Sequence, residues 1–73
     1  MSITAEEENK LAAIATDMGL AADMRVKAIE QLGRIGSRES LLLLLEMAGN
    51  EAMVTKERDI ALMQARKIIK QNR

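Results

Sequence analysis

Seventy-three residues make one domain with a marginal core, because a chain this short buries only about 60% of the surface that it exposes when unfolded. The sequence is 48% apolar yet holds no Cys, His, Pro or aromatic residue, and 11 cations balance 11 acids. This composition excludes disulfides, zinc fingers, thiol or imidazole catalysis and aromatic platforms for single-stranded nucleic acid, and it is too aliphatic for a disordered segment.

Domains of this size usually gain stability from disulfides, metals or association. Only association remains here, since no Asp, Asn and Gly spacing of a calcium loop occurs either. No catalytic, cofactor-binding or metal-ligating set is expected. No glycine-rich loop opens a helix and no nucleophile sits beside a base, so the expectation is a protein that is not an enzyme. The longest apolar run, Leu41 to Leu45, has five residues, far short of the roughly 20 that cross a membrane. The acidic Glu6-Glu7-Glu8 is unlike a signal or transit peptide, so a cytoplasmic protein without membrane partners is expected.

Helix signals divide residues 1–73 into four elements at approximately 5–18, 23–35, 38–48 and 56–71. Thr4 and Glu7 have capping-box spacing and open the first, which Gly19 follows. Its stripe is Leu11, Ile14, Ala15 and Met18. Asp23 or the Ala21-Ala22 pair opens the second, with the stripe Met24, Ala28, Leu32 and Ile35 and Gly36 as its stop. Ser37 caps the third, and its run of leucines covers more than half the circumference, which places it at the centre. Thr55 caps the fourth, whose broad stripe is Ala61, Leu62, Ala65, Ile68 and Ile69.

The halves repeat. Leu11, Ile14, Met18 and Gly19 align with Leu41, Leu44, Ala48 and Gly49 at an offset of 30, and Arg25, Ala28 and Leu32 align with Arg58, Ala61 and Ala65 at an offset of 33. The three extra residues fall in the loop before Thr55. The stretch from Asp23, with Arg25, Ala28, Leu32, Gly33, Ile35 and Gly36 followed by the leucines, resembles a HEAT-like repeat of the short type found in phycobilisome lyases. One full unit, about 23–49, and two flanking half-units match; the turn lacks the family's proline. The resemblance implies an all-α, four-helix antiparallel array of two HEAT-like hairpins, and a protein-binding scaffold.

Arg25 and Arg58 occupy equivalent places inside the apolar stripes, where a charge must pair or reach solvent. Two readings stand: contact with an anionic ligand, or a structural ladder to Asp17, Asp23 or Glu46, as the resemblance favours. Arg66, Lys67, Lys70 and Arg73 form a candidate basic surface, which either complements the helix dipole or meets phosphates. Ile60 and Met63 lie off the stripe of the fourth helix, and with Met53 and Val54 they form a candidate interface.

Ile14, Ala15, Met18, Gly19 and Leu20 also match the first helix and turn of a helix-turn-helix. Val26 and Ile29 then sit one place late, and Asp23 opens the recognition helix with an acid. The expected function is a small adaptor or subunit that binds protein, itself or another, through helical faces as a homo-oligomer. The alternative is a small DNA-binding regulator or phage or mobile-element accessory protein, with nucleic acid as partner.

Overall fold

The computed structural model describes residues 5–71. Within them the chain forms α1 (Ala5–Ala15), α2 (Ala22–Ile35), α3 (Arg38–Ala48) and α4 (Thr55–Gln71). The all-α, four-helix architecture expected from the periodicity is therefore present. The Thr4 capping position lies outside the described residues.

α1 stops three residues before its expected end at Met18. The Thr16 hydroxyl donates to the Ala12 carbonyl at 2.8 Å, and the Asp17 amide donates to Ile14 at the tighter three-residue spacing. The Asp17 carboxylate then accepts from the Gly19 amide at 2.9 Å, so an Asx turn replaces another turn of helix. Met18 consequently leaves the stripe and is exposed. Gly19 belongs to this turn and is not a left-handed helix cap.

α2 begins after an extended Ala21, whose carbonyl accepts from Met24 and Arg25, so the alanine pair opens it and Asp23 sits in the first turn. It ends at Gly36, where φ of 66° is left-handed and the amide bonds the Leu32 carbonyl. Ser37 caps α3 as expected, accepting from the Ser40 amide at 3.0 Å. Thr55 is the first helical residue of α4, not its cap. The Val54 carbonyl accepts from Glu57 and Arg58, both at 3.0 Å, and holds the capping position.

α1 packs along α2, α3 packs along α4, and α2 packs against α4, with narrower α2–α3 and α1–α3 contacts. The result is two hairpins side by side. Ile29, Leu32, Leu44 and Ile68 fill the core, and Ala28, Ala61 and Ala65 let the helices approach closely.

Two stripes differ from expectation. On α2 the buried face includes Arg25 and Ile29, and Met24 is exposed. On α4, Ala61, Ala65 and Ile68 are buried and Ile69 is exposed. The leucine helix is also less central than its composition suggests. Leu44 and Met47 are buried, but Leu42 and Leu45 face outward, and α2 has the broadest packing. A five-leucine run presents leucine in every direction, whereas α3 has neighbours only on the sides of α1, α2 and α4.

Candidate interaction surfaces

The most constrained polar group is Arg25. Its Nε donates to Glu57 Oε1 at 2.7 Å and its Nη2 to Oε2 at 2.9 Å, a bidentate pair with both residues buried. Nη1 donates to the Leu20 carbonyl. The hydrogen bonds to Arg25 hold the Glu57 carboxyl below its ordinary range against the opposing effect of burial.

The ladder reading of Arg25 therefore has the right kind of partner but the wrong residue. Asp17 contributes only a weak coulombic effect, and Asp23 stays exposed in the first turn of α2. Glu57 was legible in principle. It sits four residues before Ala61 on the apolar face of α4, and an acid in a stripe needs a partner as an arginine does. Arg58 does not complete a ladder to Glu46: its Nε donates to the Ala48 carbonyl at 3.2 Å and tethers the end of α3.

A second polar knot joins the hairpins. The Ser37 hydroxyl donates to the buried Glu8 carboxylate, and the Ser40 hydroxyl donates to the Ser37 carbonyl at 3.0 Å. In the acidic first turn of α1, Glu6 and Glu7 are exposed, with Glu6 3.6 Å from Lys10, whereas Glu8 is buried. Among the described residues, every buried side-chain nitrogen or oxygen has a partner.

Compared with known protein families, curated proteins and solved structures, the chain shows no significant match.

Open grooves follow the helix seams. One, of about 710 Å³, lies between α1 and α2, where Leu11, Ile14 and Met24 meet Lys27, Gln31 and Arg34. Another lies between α2 and α4, around Val26, Lys56 and Ile60. A third lies between α1 and α3, with Ala12, Leu43 and Met47 in its walls. Among the described residues no three carboxylates gather where they could hold a metal ion, and no helix is long and apolar enough to cross a membrane.

The candidate interface does not hold together as a patch. Met53 is buried in the core, because the Asx turn at Asn50 folds the loop beneath α3 and α4. Ile60 is half-buried against the core, whereas Val54 and Met63 are exposed. Met63 is 58% exposed, and other exposed apolar groups lie outside the set, among them Leu42 at 48%, Leu45 at 41% and Ile69 at 53%. Sequence periodicity could not find the two leucines, since a leucine beside four others carries no sign of which way it faces, and it placed Ile69 in the buried stripe.

Arg66, Lys67 and Lys70 are exposed on α4, and Arg73 lies outside the described residues. In sequence these cations stand far from the acids of α1. In space they share an end with them, because Ser37 ties Glu8 to the start of α3 and α4 runs back along α3 from Ala48. The helix-turn-helix geometry is also altered. Six residues separate α1 from α2, longer than the three or four typical of that turn, and Arg25 and Ile29 are buried.

Proposed function

We propose that this chain is a small, non-enzymatic protein-binding module, built on HEAT-like hairpins, that self-associates through its helical faces. The observation that carries this reading is the combination of a closed polar interior with large aliphatic side chains turned outward on α3 and α4. Isolated exposed hydrophobes are ordinary, but Leu42, Leu45 and Ile69 all come from the two helices of one hairpin.

The repeat supports the HEAT-like part. Arg25 and Arg58, equivalent by alignment, each bond a carbonyl that precedes their own helix, at Leu20 and Ala48. The equivalent Ala28 and Ala61 are both buried. Arrays of stacked repeats bury each unit on its neighbours, and the outermost units need caps. An aliphatic outer unit is the opposite of a polar cap.

Light scattering of the full chain, with and without a mixed DNA pool, tests this reading. The expected result is a mass above one chain at micromolar concentration, unchanged by DNA. A monomeric mass at high concentration with a cooperative melt argues against self-association. A DNA shift at physiological salt that disappears on replacing Arg66, Lys70 and Arg73 with Gln would move the assignment to nucleic acid.

A further inference from the structure

We infer that the open edge of the α3–α4 hairpin binds a second copy of this chain about a two-fold axis that crosses α4 between Leu62 and Met63. The inference rests on the self-association proposed above and adds to it the face and the symmetry.

The bonds already described orient both helices. On α4, Glu57 and Gln64 face α2, through Arg25 and Gly33, whereas Arg58 faces α3. With 3.6 residues per turn, Leu62 and Ile69 follow Arg58 on the α3 flank, away from α2. On α3, Leu43 and Met47 line the groove shared with α1. Leu45 also touches that groove beside Gly49, and the same period sets Leu42 and Leu45 about 100° or more around α3 from Leu43, where both are exposed. The two rows therefore meet along the edge of the molecule that the first hairpin does not cover.

Charge decides the occupant. Asp59, Leu62, Arg66 and Ile69 follow one another at spacings of three, four and three, the spacing of a coiled-coil seam, with Asp59 and Arg66 exposed. A two-fold axis across this row reverses the second copy, so Arg66 of each copy meets Asp59 of the other, and the leucines meet at the centre. A parallel pairing would oppose acid to acid. Head-to-tail stacking would set Arg66 toward the α1–α2 groove, where Lys27 and Arg34 outnumber Glu30. The edge is complementary to itself in the antiparallel sense, and its apolar centre joins α3 and α4 of two copies into a four-helix bundle.

The test uses the full chain in sedimentation equilibrium, with circular dichroism as a check on folding. Wild type is expected to be dimeric. Leu45→Glu with Ile69→Glu, both at exposed positions, should give a helical monomer. Asp59→Lys and Arg66→Glu should each raise the dimer dissociation constant by about tenfold or more at low salt. Mixed together, these two single variants should form a heterodimer, because both opposed pairs become attractive again.

A monomeric wild type would overturn this inference and the self-association reading together. A dimer indifferent to the Leu45 and Ile69 changes would overturn the face and leave self-association standing. Loss of the dimer in the leucine variant, without recovery on mixing the charge variants, would overturn the two-fold arrangement.

Discussion

At Arg25 and Glu57 the sequence places two full charges inside a small core, and each depends on the other. Glu57 has its pKa lowered from 4.5, first by the Arg25 hydrogen bonds. Its stabilising contribution is therefore present above the ordinary glutamate range and is lost as pH falls through the lowered value. Arg25, raised by the same hydrogen bonds, stays charged throughout. The melting temperature of wild type should fall as pH drops below 4.5. Glu57→Gln should melt lower at neutral pH and show a flatter acid dependence. Replacing both partners, by Arg25→Met with Glu57→Leu, should recover stability lost in the single variant, because no unpaired charge then remains. Thermal melts across pH check both statements. Gly33 is the other residue under tight constraint: a Cβ there would stand 2.1 Å from Gln64 Oε1 and 3.0 Å from Gln64 Cβ. The amide could swing aside but the Cβ could not, so α2 and α4 would have to part. Gly33→Ala should cost about 1–3 kcal/mol in urea denaturation, and Gln64→Ala in the same chain should return only part of it.

Among the elements, α3 illustrates how neighbours select one face from an ambiguous sequence. Of five consecutive leucines, Leu44 alone is fully buried. Leu44→Ala should destabilise by about 2–5 kcal/mol, as large-to-small core changes do, whereas Leu42→Ala should change stability within about 0.5 kcal/mol in the isolated chain, as surface substitutions do. Chemical denaturation of both variants measures the contrast, and equal losses would mean that α3 is buried on both sides. The helix ends were legible where a side chain or a left-handed residue makes the stop. Ser37 bonds the Ser40 amide, and Gly36 adopts the φ that a β-carbon disfavours. They were less legible at α1, where Thr16 and Asp17 redirect hydrogen bonds that a continuing helix would use. Met18 fits a helical stripe by number, and local competition for the backbone removes it.

For the whole molecule, association and folding are linked. If two copies share the α3–α4 edge, the dimer is stabilised by mass action, and the melting temperature should rise with protein concentration. The Leu45→Glu, Ile69→Glu variant should melt at a temperature independent of concentration. Differential scanning calorimetry over a range of concentrations separates the cases. The charge distribution is also a property of the whole fold. The acids of α1 and the cations of α4 stand at opposite ends of the sequence, yet the Glu8–Ser37 contact and the antiparallel return of α4 place both at one end of the molecule. A phosphate approaching Arg66, Lys67 or Lys70 would also meet the field of Glu6 and Glu7, which weakens the nucleic-acid reading.

The sequence by itself determined the class of fold, the number of helices, the sharp stops at Ser37 and Gly36, the internal repeat and the need of Arg25 for a partner. All of these follow from local rules: the helical period, capping chemistry and the cost of burying an isolated charge. Only the tertiary structure decided that the partner is Glu57, that Met53 belongs to the core, that Glu8 ties the hairpins together and that Leu42, Leu45 and Ile69 face outward. Those outcomes depend on contacts between residues far apart in the chain. Periodicity fixes which residues share a side of a helix, but the position of the neighbouring helices fixes which side is buried.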